Sequence, residues 1–209
     1  MKKVIYLLLI ILSSTSAYSQ VFEGSITYHT EYKSKTSEMT DEQMNKMMGS
    51  TQEYSIKGGN YKSVSNGTLV LWQLYLKKDN KLYTKMSTLE TLYWNDGKKN
   101  KDEVQKVKIN REVIEILGYT CDEIILICKS GIQKYYFSSK LAVDPSEFSQ
   151  HLFGNWYAYL SKTSALPLKM VIESDKFILK STATAVNPHE IEKKFFTLPA
   201  DVETEESPY

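Results

Sequence analysis

Turn-forming residues recur so often along this chain that they constrain its fold more than any other feature. Gly58-Gly59-Asn60, Asn66-Gly67, Asn95-Asp96-Gly97, Ser130-Gly131 and Ser174-Asp175 separate short runs rich in β-branched and aromatic residues. Such spacing is typical of strands joined by tight turns, here roughly ten of them. The pattern predicts a mainly β fold, a single curved antiparallel sheet or half-barrel with a few short helices packed on its concave face.

Two of the predicted strands are apolar on both faces. From Phe22 onward apolar and polar residues alternate, as expected for a half-buried strand. Leu69–Leu76 and Ile124–Cys128 do not alternate in this way. An antiparallel sheet with one face in water does not contain such strands, so a second layer must cover them. The short helices and an apolar ligand are both candidates for this layer.

A first helix is predicted after the opening strand. Thr40 can cap its start, Gln43 completes a capping box and Gly49 ends it. Its apolar residues have three interpretations, in order of preference: core packing, the lining of a ligand cavity, and a soft-metal site. These residues are Met44, Met47 and Met48.

A second helix is predicted between Asp144 and Gly154. Asp144 can cap it, Pro145 suits its first position and Glu147 completes a capping box. Residues 156–160 follow it and are interpreted as a strand.

The N-terminus has the pattern of a cleavable export signal. Lys2 and Lys3 precede the unbroken apolar run Val4–Leu12, and small polar residues follow it. The run is too short to span a bilayer, which needs about 20 residues. Residues 1–19 are therefore predicted to be a signal peptide, and the protein to be periplasmic or secreted. No Cys stands directly after the apolar run, in residues 13–20, which argues against lipoprotein-type lipid attachment.

The rest of the chain is predicted to form one domain. Residues 20–201 are assigned to a single β-rich domain and residues 202–209 to a flexible acidic tail. Loss of Lys2 and Lys3 takes the formal net charge from +1 to −1. A near-neutral chain has no electrostatic basis for binding nucleic acid. No later apolar stretch is long enough to cross a membrane.

The two cysteines are predicted to remain unpaired. Cys121 and Cys128 flank one apolar strand, which would hold them roughly 23 Å apart and on opposite faces. A disulfide needs Cα atoms within about 7 Å. Both residues are therefore interpreted as small buried apolar groups.

The sequence contains no recognisable catalytic constellation. His29, His151 and His189 lie far apart, and no GxSxG, HExxH or CxxC motif occurs. We therefore expect a protein that is not an enzyme and that has no cofactor and no metal site.

Several segments resemble a domain-of-unknown-function family of secreted Bacteroidetes proteins, close to the GLPGLI proteins. They are Phe22–Tyr28, Tyr54–Gly58 after the methionine-rich helix, Ile116–Cys121, Leu166–Met170 and Phe195–Asp201. This family is in turn similar to the LolA/LolB-like lipoprotein carriers and receptors. The resemblance implies a curved antiparallel sheet that wraps around short helices and encloses an apolar cavity. It implies no catalytic residues.

The leading hypothesis is an exported, non-enzymatic envelope protein that binds or carries a lipid or acyl chain in a LolA-like cavity. The residues predicted to line this cavity are Met44, Met47, Met48, Trp72, Leu74, Leu126 and Phe148. The alternative is a surface-recognition module that binds a glycan or an envelope protein through exposed aromatic residues. A contiguous exposed Tyr/Trp patch without an internal cavity would favour the alternative.

Overall fold

The computed structural model describes residues 21–208, so the signal peptide predicted for residues 1–19 lies outside the described residues. The strands are β1 (Gly24–Ser34), β2 (Thr51–Lys57), β3 (Asn60–Ser65), β4 (Val70–Leu76), β5 (Lys81–Met86), β6 (Leu92–Asp96), β7 (Val104–Ile116), β8 (Tyr119–Cys128), β9 (Gly131–Ala142), β10 (Ala165–Ser174), β11 (Phe177–Pro188) and β12 (Thr204–Glu206). The helices are α1 (Asp41–Met48) and α2 (Trp156–Thr163), with 3₁₀ turns at Pro145–Phe148, Phe153–Asn155 and Lys193–Phe196.

All twelve strands belong to one sheet. Their order is β12-β6-β5-β4-β3-β2-β1-β11-β10-β9-β8-β7. Every neighbouring pair is antiparallel except β12 and β6, which are parallel. The two strands at the ends of the order, β12 and β7, leave the sheet open.

The sheet curls around one central core. Tyr75 on β4 and Ile124 on β8 belong to the same cluster of buried residues, together with Ile26 on β1. In a flat sheet, the seven strand spacings between β4 and β8 would separate them by roughly 34 Å. The strands between them must therefore curve, and the predicted fold class is confirmed. We call the face that carries Ile26, Tyr75 and Ile124 the inner face.

The inner face is covered by α2 and by the 3₁₀ turn Pro145–Phe148. Tyr159, Leu160 and Phe148 are fully buried against the strands. Asp144 caps the turn as predicted, because its carboxylate accepts a hydrogen bond from the Ser146 amide at 2.8 Å. The predicted second helix, however, continues only to Phe148 as a 3₁₀ turn.

The strand predicted for residues 156–160 is wrong, because these residues form the first part of α2. Trp156, Tyr159 and Leu160 have the i, i+3, i+4 spacing of a helix face, which a five-residue window cannot distinguish from a short apolar strand. Gly154 and Asn155 both have positive φ angles, 63° and 64°, and turn the chain into the helix.

The opposite face of the sheet, which we call the outer face, is covered over β4 and β5 by the C-terminal segment (residues 189–206). Leu74 and Leu76 alternate with the inward-facing Tyr75 and form a second apolar cluster with Ile191 and Phe196 of that segment. The second layer required by the two-sided apolar strand β4 is therefore the protein's own chain, placed more than a hundred residues later in the sequence.

The flexible tail predicted for residues 202–209 is wrong for residues 204–206, which form β12. Thr204, Glu205 and Glu206 pair with Leu92, Tyr93 and Trp94 of β6. The free backbone edge of β6 supplies hydrogen-bonding partners that composition alone does not reveal.

Both cysteines are free and buried. Cys121 and Cys128 lie in the same central cluster, so the expectation that they point to opposite faces is wrong. The register of β7 against β8 shifts between Asn110 and Ile114, and Ile114 pairs with Cys121.

Phe196 and Phe195 provide a matched test of the outer-face layer. Phe196 is 6% exposed and Phe195 is 39% exposed. We expect Phe196→Ala to lower the free energy of unfolding by about 3 kcal/mol or more, because it leaves a cavity above Leu74 and Leu76. Phe195→Ala should cost less than about 1 kcal/mol. Urea denaturation checks both values, and equal losses for the two variants would contradict the assigned packing.

Candidate ligand-binding site

The seven residues predicted to line one cavity lie in three separate places. Leu126 and Phe148 are fully buried in the inner-face cluster, whereas Leu74 and Trp72 belong to the outer-face cluster. The remaining three, Met44, Met47 and Met48, are half-buried on α1. The structure therefore does not gather all seven around one cavity, although Met48 and Trp72 both line a small pocket of about 60 Å³.

Helix α1 itself forms as predicted. The Thr40 hydroxyl accepts a hydrogen bond from the Gln43 amide, and the Gln43 side chain accepts one from the Thr40 amide. Asn45 attaches the helix to β1 through hydrogen bonds with the backbone N–H and C=O of Tyr32, at 2.8 and 2.9 Å. The methionine-rich helix thus lies beside the end of β1, away from the core that α2 covers.

Aromatic rings occupy the interior where the cavity was predicted. The ring of His151 stacks on Tyr75 at 3.9 Å between centroids and an interplanar angle of 8°. Tyr75 also stacks on Phe148, and Tyr135 packs against Tyr159 at 4.4 Å. Large rigid rings in mutual contact fill the space between the sheet and α2.

His151 is part of this packing and stays neutral. It is 1% exposed, and its Nε2 shares a hydrogen bond of 2.8 Å with the hydroxyl of Tyr61. Burial lowers the pKa of His151 to about 3, because the imidazolium would lose its hydration. Among residues 21–208, no three His, Cys, Asp or Glu side chains come together in a way that could hold a metal ion.

A groove of about 580 Å³ opens on the outer face, beside the C-terminal segment. It lies between the β2–β3 turn, the β4–β5 turn and the 3₁₀ turn Lys193–Phe196. Leu76 and Phe196 form its apolar floor. Its basic rim consists of Lys57, Lys77, Lys78 and Lys193.

Two of the four rim lysines have structural partners. Lys57 lies 2.7 Å from a carboxylate oxygen of Glu23 and donates a hydrogen bond to the backbone oxygen of Ile191 at 2.6 Å. The hydrogen bond from Lys57 lowers the pKa of Glu23. The same carboxylate oxygen accepts a hydrogen bond from the Ile191 amide at 2.6 Å, so this pair fastens the C-terminal segment to the start of β1. Lys77 pairs with Glu147 at 2.6 Å.

The other two rim lysines are available to a ligand. Lys78 and Lys193 are exposed, and neither forms an ion pair with any residue in the described part of the chain. They lie at the mouth of a groove whose floor is apolar. The site therefore combines uncompensated positive charge with an apolar surface, the two features that an anionic amphiphile requires.

Aromatic rings and further lysines occupy the outer face near the groove. The ammonium group of Lys62 lies 5.3 Å from the ring centroid of Trp72 and 5.0 Å from that of Phe195. Lys81 lies 3.4 Å from the ring centroid of Trp94. These are cation–π contacts, which hold the lysine side chains against the rings.

Sequence reasoning missed the rim lysines and Phe196. The run Lys193-Lys194-Phe195-Phe196 and the pair Lys77-Lys78 place basic residues beside apolar ones in turns. That combination was a signal for an amphiphilic surface. The local pattern of an apolar strand face does not show which segment covers it, so an internal cavity and a covering segment are equally compatible with the sequence.

No protein-family model and no curated protein matches this chain. Its resemblance to the secreted Bacteroidetes family and to the GLPGLI proteins therefore stays a prediction. Solved structures that are similar to this chain include LprF and PNGF-II. The match to LprF from Mycobacterium bovis covers 80% of this chain and 89% of LprF, with 12% sequence identity and a TM-score of 0.31. PNGF-II matches over 90% of this chain at 9% identity, with a TM-score of 0.49.

The chain spans about a third of the length of PNGF-II, 32%. Within residues 21–208, no helix is both long enough and apolar enough to cross a membrane.

Burial of His151 predicts a specific loss of stability in acid. The pKa is about 3 in the folded protein and about 6.5 in the unfolded chain, so only the unfolded chain binds a proton between these values. The stabilisation is fully present above pH 6.5 and declines as the pH falls toward 3. Between pH 7 and pH 5 the expected loss is about 2 kcal/mol.

Replacing His151 by Phe keeps a ring on Tyr75 and removes the titrating group. We expect the difference in unfolding free energy between pH 7 and pH 5, measured with urea, to shrink by about that amount in His151→Phe. The exposed His29 supplies the control, since His29→Gln should retain the wild-type difference. An unchanged pH dependence in His151→Phe would show that His151 is not the responsible group.

Proposed function

We propose that this chain is an exported, non-enzymatic envelope protein that binds an anionic amphiphile, such as a fatty acid or an anionic lipid, in the outer-face groove. The observation that carries the proposal is the apolar floor of Leu76 and Phe196 below the exposed, unpaired Lys78 and Lys193. The signal peptide predicted for residues 1–19 supports a periplasmic or secreted location.

The chemistry of the groove accounts for both ends of such a ligand. Each methylene group that leaves water for the apolar floor contributes about 0.8 kcal/mol. The ammonium groups of Lys78 and Lys193 can pair with a carboxylate or phosphate at the mouth. A volume of about 580 Å³ lies within the range of small-molecule pockets.

This proposal keeps the ligand class of the sequence hypothesis and changes its location. The internal cavity is replaced by packed aromatic rings around Tyr75, whereas the outer face offers a groove that needs no rearrangement of the core. Of the seven predicted lining residues, Trp72 and Leu74 belong to the cluster that borders this groove.

A surface-recognition role is the second candidate, and the aromatic rings of the outer face favour it. Trp72 and Trp94 pack against the Leu74 cluster, and Phe195 shares the ammonium group of Lys62 with Trp72. A glycan would stack on the faces of such rings. Lys62 and Lys81 already occupy positions over these rings, which is why we rank glycan binding below amphiphile binding.

Titration with dodecanoate tests the proposed function. We expect wild-type protein to bind dodecanoate in isothermal titration calorimetry and to bind acetate far more weakly, because acetate lacks the apolar chain. The double variant Lys78→Glu/Lys193→Glu should bind dodecanoate at least about tenfold more weakly, since it replaces two attractive charges by repulsive ones.

The control is Lys129→Glu/Lys176→Glu. It changes the net charge by the same amount at two exposed lysines that do not line the groove, and it should bind like wild type. Wild-type protein that releases no heat with dodecanoate, or a groove variant with unchanged affinity, would refute the proposal.

A further inference from the structure

Strand β7 presents a long open edge. It runs over thirteen residues, Val104–Ile116, and within residues 21–208 it pairs only with β8, which leaves its other edge without a strand partner there. Every residue from Gln105 to Glu115 is exposed. The opposite end of the sheet differs, because β12 is only three residues long. Long free edges of this kind can pair with another strand.

Exposed apolar side chains concentrate on this strand. Ten large apolar side chains are exposed in the described part of the chain, and five of them lie on β7 or in the turn after it. The five are Val107, Ile109, Val113, Ile114 and Leu117. An apolar edge strand in water is typical of a surface that another chain covers.

The charges of β7 identify a partner that fits. Lys106 and Lys108 lie in the first half of the strand, and Glu112 and Glu115 in the second half. None of these four side chains forms an ion pair with another residue of the described chain. A strand that is basic at one end and acidic at the other is complementary to itself when it is turned antiparallel.

We propose that β7 pairs antiparallel with β7 of a second copy of this chain. A two-fold axis at Asn110 places Lys108 opposite Glu112 of the other copy, and Lys106 opposite Ile114, beside Glu115. The symmetry repeats both contacts, so the interface is isologous. In this register Val107 of each strand lies opposite Val113 of the other, so the two apolar side chains cover each other between the charged pairs.

The pairing closes at two copies. It consumes the long edge of each sheet, and the remaining edge, β12, offers only three residues. The middle of β7 also contains a bulge in which Glu112 has a φ of 52° and its amide donates to a carboxylate oxygen of Asp122 at 2.9 Å. A bulge at this position bends the strand and disfavours pairing with flat, unrelated edges.

Reversing the charges at one end of β7 tests the proposal, because two identical strands then place like charges opposite each other. The variant Lys106→Glu/Lys108→Glu makes β7 acidic at both ends, and Glu112→Lys/Glu115→Lys makes it basic at both ends. In sedimentation equilibrium on the mature chain, we expect wild type to dimerise. Each variant alone should have a dimer dissociation constant at least about tenfold higher, because like charges then face each other.

An equimolar mixture of the two variants should dimerise again. In the mixed pair every acidic half faces a basic half, as in wild type. The four substituted side chains are exposed, so circular dichroism should show unchanged folding of each variant. Three results would each overturn the proposal: a monomeric wild type throughout the micromolar range, variants that dimerise like wild type, or a mixture that remains monomeric.

Discussion

The structure depends on the burial of β4 from both sides. Tyr75 faces the inner cluster, while Leu74 and Leu76 face the outer one, and all three are nearly inaccessible to solvent. Each such side chain contributes roughly 1.5–3 kcal/mol when it is removed from water. Two separate layers are therefore needed, and the chain supplies them from two distant segments: α2 with its preceding 3₁₀ turn, and the C-terminal segment.

This arrangement decides where a ligand can bind. On the inner face, the rings of Tyr75, His151 and Phe148 stack closely and occupy the region that a carrier would keep open. On the outer face, the C-terminal segment covers the strands with a few large side chains and leaves a groove beside Phe196. The lysines of two turns and of the segment meet there, so the edge of the covering layer becomes the amphiphilic site.

Local patterns in the sequence were sufficient for the elements and for the class of fold. The capping box of Thr40 and Gln43 and the Asp144 cap form as their spacing predicts. The two-sided apolar strand β4 correctly indicated a second layer, whereas on β8 Ile125 and Ile127, which alternate with the buried Ile124 and Leu126, are only half-buried. The identity of that layer could not be read from the sequence, because Leu76 and Phe196 are joined by a contact between residues about 120 positions apart.

The candidate site was predicted less well for the same reason. Alternation shows which residues share a face of a strand, but it does not show which face of the sheet receives α2. Trp72 and Leu126 were therefore assigned to one cavity although they lie on opposite faces of the sheet. Residues 156–160, predicted as a strand, instead belong to α2, the helix that packs into the interior.

The indole N–H signals of the three tryptophans provide the most direct test. Trp72 and Trp94 border the outer-face cluster, whereas Trp156 packs against Tyr54 and Tyr61 on the inner face. In ¹H–¹⁵N spectra recorded during titration with dodecanoate, and assigned with single Trp→Phe variants, we expect the signals of Trp72 and Trp94 to shift and that of Trp156 to remain in place. A shift confined to Trp156 would place the ligand inside the curved sheet and contradict an outer-face site.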